Sequence, residues 1–161
     1  MGRLVVQCHP VATSFNAAIL DRVLDGFGDA AASATVVRIG QGDRLHAGQL
    51  ESATDLTFVY PTWWGSPPAA LMAELAREIG PWIDGFRPVQ TNPLRQVTRL
   101  RIVTTHGSPK VVNAMQGEPG KRLWQRTVLD LCAPGAEFDW SALYGLDRIG
   151  FDQRRRFLTQ L

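Results

Sequence analysis

Leu56-Thr57-Phe58-Val59-Tyr60-Pro61-Thr62-Trp63-Trp64-Gly65-Ser66-Pro67-Pro68-Ala69 decides how the chain is read. Residues 56–60 are apolar or β-branched without a break, the pattern of a strand buried on both faces. Two adjacent indoles then stand between prolines beside Gly65, a grouping that helices and strands tolerate poorly. Pro67 and Pro68 suit the start of a helix over residues 68–79. Strand, shaped loop and helix in that order form one unit of an α/β protein, and open α/β sheets bind ligands at the carboxyl ends of their strands. The loop is expected to receive a flat aromatic ligand. Two consecutive indoles do not readily point the same way. One is expected to pack inward, in the core or at a subunit interface, and the other to face the ligand.

The same alternation extends in both directions. Residues 4–8 read as the first strand. Ser14 can N-cap a helix over 15–26, whose Phe15, Ile19 and Val23 lie four apart on one stripe. Residues 34–39 are the second strand, 40–50 a loop, and 50–54 a short helix. Beyond the tryptophans, 80–92 reads as irregular, broken by Pro81 and Pro88. Residues 100–105 are the fourth strand, 107–120 a long polar loop, 121–131 a helix, 137–143 a fifth strand and 152–160 a last helix. Five strands with intervening helices predict a doubly wound parallel sheet of order 2-1-3-4-5 in one domain, residues 1–161.

Composition bounds the function. The chain has 161 residues, 45% hydrophobic and 20% charged, which excludes a disordered chain. No apolar run is long enough for a membrane span, and none precedes the first strand as a signal peptide. Only Cys8 and Cys132 are present. The expectation is a cytoplasmic protein with two reduced thiols and no membrane insertion. A net charge of +2 is too mild for a nucleic-acid partner but compatible with anionic small molecules. The Arg154-Arg155-Arg156 run reads as the solvated face of the last helix.

Three loops should meet at one sheet edge. After strand one come His9, Pro10, Thr13, Ser14, Phe15 and Asn16. Hydroxyls, an amide and a helix N-terminus there make an anion site, unless Ser14 only caps the helix. After strand three comes the tryptophan pair, and after strand four Thr104-Thr105-His106-Gly107. Gly107 admits close approach of a ligand to the backbone. His106 reads as a structural histidine or a catalyst. No P-loop is present, and Gly40-Gln41-Gly42 lacks the third glycine of a dinucleotide fingerprint. Cys8 is placed like a phosphatase thiolate, but Ser14 stands where that chemistry needs arginine, so Cys8 reads as a buried strand-end thiol.

Together these loops resemble the flavodoxin-like NAD(P)H:quinone oxidoreductase family, which includes the ancillary flavoproteins of bacterial potassium-efflux systems. His9, Pro10, Ser14, Phe15 and Asn16 match the family's His-Pro…Ser-Phe-Asn segment, which holds the flavin phosphate. Pro61 to Ala69 looks like its Pro-x-x-Trp-aromatic-x-x-Pro-Ala segment along the isoalloxazine, here Pro61, Thr62, Trp63, Trp64 and Gly65. Thr104, Thr105, His106 and Gly107 are similar to its Thr-Thr-Gly-Gly loop. The resemblance implies FMN, with FAD as the alternative, and NAD(P)H as substrate. It implies a quinone or similar acceptor reduced by a ping-pong cycle through flavin N5, and a homodimer. His106 and Lys110 are the candidate catalytic residues, Lys110 as a cation favouring the anionic reduced flavin. Two departures stand out. His106 replaces a glycine, and no tyrosine lies between Pro61 and Trp140, where the family's Tyr/His pair is expected. A regulatory or electron-carrying flavoprotein with little turnover, and a flavin-free domain, stay open at this point.

Overall fold

β-Branched and apolar runs become strands, and the amphipathic runs between them become helices. The computed structural model describes residues 2–161. In chain order the elements are β1 (Arg3–Cys8), α1 (Phe15–Asp25), β2 (Thr35–Ile39), α2 (Ala47–Glu51), β3 (Asp55–Thr62), α3 (Ala69–Glu78) and α4 (Gly80–Ile83). They continue as β4 (Arg99–His106), α5 (Lys110–Met115), α6 (Pro119–Leu123), β5 (Glu137–Leu143) and α7 (Phe151–Thr159). All strand pairs are parallel, and the sheet order is β2-β1-β3-β4-β5. The expected flavodoxin-like α/β architecture is the one observed.

Strand alternation divides the side chains between two cores. On one face Leu4, Phe58 and Ile102 pack against Leu71 and Leu75 of α3 and against Trp124, Val128 and Leu131. On the other, Val5, Val59 and Val103 pack against Ile19, Leu20 and Val23 of α1 and Phe157 of α7. The Phe15/Ile19/Val23 stripe therefore does what its spacing predicts. Each fully buried side chain of this size contributes about 1.5–3 kcal/mol by leaving water. The Phe58 and Trp124 rings lie 4.6 Å apart, and Trp124 Nε1 donates to Tyr60 Oη at 2.6 Å. That bond satisfies two polar atoms in the centre of the core.

Several elements differ from the sequence expectation. The short helix begins at Ala47, three residues early, because its first N–H groups find acceptors. His46 N donates to Gln49 Oε1 at 2.9 Å and Ala47 N to Glu78 Oε2 at 2.7 Å. Pro81 does not break structure; it sits in the first turn of α4, where no N–H is needed. The polar stretch 107–120 is not an open loop but holds α5 and the start of α6. The following helix begins at Pro119. It widens to π-helical pitch over Trp124–Val128 and tightens to 3-10 pitch over Leu129–Leu131. The change of pitch keeps Trp124, Val128 and Leu131 all on the core side.

Among the described residues, no helix is long and apolar enough to cross a membrane. Both cysteines are buried and free. Burial pushes the Cys8 thiol up to about 11 and the Cys132 thiol up to about 12. Neither can form appreciable thiolate at neutral pH. In native protein at pH 8, a thiol reagent such as dithionitrobenzoate is expected to release no colour over minutes, and two equivalents after denaturation. Rapid native labelling of Cys8 would contradict its placement.

Candidate functional site

The site begins where β1 stops. Its pairing with β3 ends at Gln7↔Val59, whereas β3 and β4 continue together through Tyr60↔Thr104, Pro61↔Thr105 and Thr62↔His106. β3 and β4 thus project as a ledge past β1 and β2, with β5 running beside β4 as far as Leu143↔Thr105. Pro61 is tolerated in β3 because one side of the strand is unpaired there. Alternation sends Thr62, Thr104 and His106 toward the α6 side, while Pro61 and Thr105 face α1.

After Thr62 the chain reverses in two residues. Trp63 N donates to Ser66 O at 2.9 Å, and Ser66 N to Trp63 O at 3.0 Å. Trp64 and Gly65 occupy the centre of the turn with φ of 54° and 75°. This is a type I′ turn, which asparagine and glycine favour and tryptophan does not. The turn rests on the first residues of α6: a Cβ on Gly120 would come 3.0 Å from the Gly65 carbonyl oxygen. Neither indole packs inward. Trp63 is 46% exposed and Trp64 fully exposed, which corrects the expectation of one buried ring. A two-residue turn at the sheet edge has no core beneath it to receive an indole.

Between this turn and the ends of β4 and α5 lies a cleft of about 670 Å³. Pro61, Thr62, Trp63, Trp64 and Gly65 line one side. Thr105, His106, Gly107, Ser108 and Asn113 line the other, with Gln116, Pro119, Leu146 and Asp147 completing it. This volume suits a medium-sized organic ligand. The loop after β5 is tied to the loop after β4: Leu146 N donates to His106 O and Gly145 N to Ser108 O, both at 2.9 Å. Arg154 Nη2 adds a bond to Leu146 O at 2.9 Å. That arginine is not simply a solvated face of α7; it holds the wall of the cleft.

The anion-suited loop stands beside the cleft, not in its lining. Ser14 caps α1, its Oγ accepting from Ala17 N at 3.3 Å, which leaves the hydroxyl's own proton to donate. Thr13 is exposed, and Phe15 opens α1. Ala17 N also donates to Ser14 O at 2.9 Å, which leaves the N–H groups of Phe15 and Asn16 as the first-turn donors without a backbone acceptor. His9 is turned back on its own loop, its Nδ1 accepting from Val11 N at 3.0 Å. Asn16 joins the two regions: it is buried, and Nδ2 donates to Thr105 Oγ1 at 3.4 Å. Its Oδ1 is buried without a protein partner and is free to accept a ligand donor.

A buried polar chain crosses the floor. Thr104 Oγ1 and Thr62 Oγ1 are 2.8 Å apart, Thr62 Oγ1 lies 3.4 Å from His106 Nε2, and His106 Nδ1 lies 2.9 Å from Asn113 Oδ1. Burial holds His106 below its ordinary value, so the ring is neutral at pH 7. Tyr144 stacks on it at 4.5 Å and donates to Glu118 Oε1 at 2.8 Å. Burial, with the Glu118 carboxylate, holds the Tyr144 phenol up. A His/Tyr pair therefore does exist, although the linear sequence offers no tyrosine near His106. The signal was parallel register: β5 runs beside β4, with Leu143 opposite Thr105, so the next residue reaches His106.

Two placements differ from expectation. Lys110 is exposed at the start of α5 and does not line the cleft. The nearest charge is instead acidic. Asp147 Oδ2 stands only 2.6 Å from where a Cβ on Gly107 would lie, so it rests on the bare face of that glycine. Sequence reasoning passed over Asp147, Asn113 and Gln116.

No protein-family model matches the chain, and no curated protein does. Solved structures do. The Streptococcus mutans protein Smu.1420 is 22% identical, with 99% of this chain and 96% of that one covered and a TM-score of 0.73. An NAD(P)H:quinone oxidoreductase from Methanothermobacter marburgensis is 16% identical, with 99% and 92% covered and a TM-score of 0.72. An FMN-dependent NADH-azoreductase from Bacillus anthracis, in complex with FMN, is 11% identical, with 99% and 95% covered and a TM-score of 0.70. These likenesses show the flavodoxin-like fold.

The left-handed backbone at Trp64 leads to a stability prediction. Trp64→Asn removes a disfavoured φ without removing any packing. It is expected to stabilise the fold by about 1 kcal/mol, or roughly 2–4 °C in melting temperature. Thermal unfolding of the two proteins is the check; an unchanged or lower midpoint would show that the turn carries no strain.

Proposed function

We propose that this chain is a flavin-dependent NAD(P)H oxidoreductase that reduces a quinone or a similar small acceptor, with FMN as its cofactor. The observation that carries this reading is the cleft at the carboxyl ends of β3 and β4. It has indoles on one wall, a polar floor, and the N-terminus of α1 reached through Asn16. A flat ring with a phosphate tail fits that sequence of surfaces. The orphaned Asn16 Oδ1 and the free N–H groups of the first turn of α1 fit its polar atoms. Likeness in fold to NAD(P)H:quinone oxidoreductases and to an FMN-bound azoreductase supports it further.

Bound FMN would supply hydride transfer at N5, from NAD(P)H to the acceptor in a ping-pong cycle. The protein's share is binding and orientation. Thr13, Ser14 and the first N–H groups of α1 hold the phosphate, aided by the helix dipole. His9 shapes that loop from within. Pro61, Thr62, Trp63, Trp64 and Gly65 lie along the ring and exclude water from one side. Thr105, His106 and Gly107 meet its polar edge, with Thr104 buried beneath them and bonded to Thr62, and neutral His106 adds no charge there. Trp64, in the turn after β3, and Val111 and Met115, on α5, are exposed apolar side chains. On this reading a second copy covers them in a homodimer. The reaction belongs in the cytoplasm, where the buried thiols stay reduced.

Purified protein titrated with FMN is expected to quench flavin fluorescence with one-to-one stoichiometry and to sediment as a dimer. The loaded protein is expected to oxidise NADH or NADPH when a soluble benzoquinone is added. Failure to retain FMN or FAD would overturn the flavin site. Tight flavin binding without turnover would move the protein to the regulatory or electron-carrying alternative.

A further inference from the structure

The histidine in the cleft floor has an unusual neighbour. Asn113 is buried in α5, and its amide nitrogen is fully committed. Nδ2 donates to Ser108 Oγ and to Pro109 O, both at 2.9 Å, and lies 3.4 Å from Ser108 O. Those acceptors determine which way the amide points, because its oxygen has nothing to donate to them. The atom 2.9 Å from His106 Nδ1 is therefore Oδ1, an acceptor. An acceptor there requires the proton to be on Nδ1. The neutral ring then carries its lone pair on Nε2. Nε2 lies 3.4 Å from Thr62 Oγ1, whose closer partner is Thr104 Oγ1 at 2.8 Å, so Nε2 has only that one long contact within the protein; both His106 and Thr62 line the cleft.

We propose that Asn113 is a positioning residue that locks His106 in the Nδ1–H tautomer, so that the cleft presents a hydrogen-bond acceptor at Nε2. The ligand selected is one whose planar edge offers an N–H or O–H at that place. Under the flavin reading proposed above, on which this identification of the ligand rests, the donor is the imide N–H of the pyrimidine ring. A wall that could also donate would accept a carbonyl there equally well. A locked acceptor instead rejects one, because two lone pairs would face each other with water excluded.

The surroundings favour the neutral ring but do not by themselves choose its tautomer. Tyr144 covers one face at 4.5 Å, and its hydroxyl points to Glu118. Trp140 stands 6.4 Å away. Glu118, through Tyr144, and Asp147, on Gly107, are the acidic groups toward this side. Both would welcome an imidazolium, and burial opposes it. Only Asn113 contacts Nδ1, so the choice of tautomer falls to it. When acid does protonate the ring, Nε2 becomes a donor and the selectivity disappears. Because burial lowers the folded-state value, that loss falls below the ordinary histidine value of about 6.5.

The deciding experiment needs no flavin. Long-range ¹⁵N–¹H spectra of histidine-labelled full-length protein should show His106 as a single Nδ1–H tautomer, titrating below the ordinary value. Asn113→Ala should release the ring to a mixture of tautomers. Asn113→Asp keeps the size of the side chain but loses its donors to Ser108 and Pro109, and it should raise the His106 midpoint above that of the wild type, because a carboxylate then faces the ring. A mixed or Nε2–H tautomer in the wild type, or identical signatures in all three proteins, would overturn the proposal. Binding supplies the ligand arm. Wild type should bind N3-methyl-FMN on the order of tenfold more weakly than FMN, and Asn113→Ala should lose that preference. Equal binding of both flavins by the wild type refutes the donor-edge identification. If neither flavin binds, the flavin reading fails, while the tautomer result still decides the role of Asn113.

Discussion

The overhang of β3 and β4 beyond β1 is the constraint from which the site follows. A strand end inside a sheet is paired on both sides and has no room for a ligand. Here β1 ends its pairing at Val59, while β3 and β4 carry on together through Thr62 and His106, with β5 beside β4 as far as Thr105. Its base is anchored by the deepest contact of the core, Trp124 Nε1 on Tyr60 Oη. The ledge is thus rigid at its root and open at its tip. Strand alternation then distributes its side chains to two sides, so that one pair of strands serves both the α1 loop, through Thr105, and the histidine floor, through Thr62 and His106.

The floor is costly to bury and is stable only because its polar atoms are almost all paired. Thr104, Thr62, His106, Asn113 and Ser108 form one connected run. Removing a single member would leave its neighbours desolvated without partners, at about 1–3 kcal/mol each. The same accounting explains why α5 is helical despite its polarity. Asn113 holds Ser108 and Pro109 in place, and the turn closes around that amide. The β5–α7 loop, bonded to His106 O and Ser108 O, braces the other side.

Strands were the most legible part of the fold, because buried parallel strands are continuous β-branched runs. Residues 4–8 and 137–143 read correctly almost to the residue, as did the Ser14 cap and the α1 stripe. The helix over 121–131 was legible apart from its start at Pro119, but α5 was not, because its stability comes from a tertiary amide rather than from an amphipathic pattern. The site showed the same division. Loops carrying local signals (Ser14 and Asn16, the indole pair, Thr104 to Gly107) lie at one sheet edge, as the topology required. Asn113, Tyr144 and Asp147 reach that edge through register and loop pairing, which no local pattern encodes. The inward tryptophan was misjudged because a two-residue I′ turn had not been recognised. Trp-Gly hides that geometry, whereas Asn-Gly would have declared it.

That disguise is informative. A tryptophan in left-handed backbone, with its indole in solvent, loses on conformation and on hydration together. Neither loss is offset by packing of the indole inside the chain, since Trp64 is fully exposed and it is Gly65 that lies against Pro119 and Gly120 of α6. The floor opposite shows the reverse economy, with almost every polar atom paired internally and His106 Nε2 held only by its long contact to Thr62. An apolar plane with no partner and a polar edge with one open position are complementary incomplete surfaces, held face to face by the ledge. A ligand with a flat π-system and a donor-bearing edge completes both at once. A purely apolar ligand would strand the floor, and a small polar one would leave the indoles wet. On the flavin reading proposed above, the cleft discriminates by requiring both halves in one molecule, with the plane against Trp63 and Trp64 and the edge against His106.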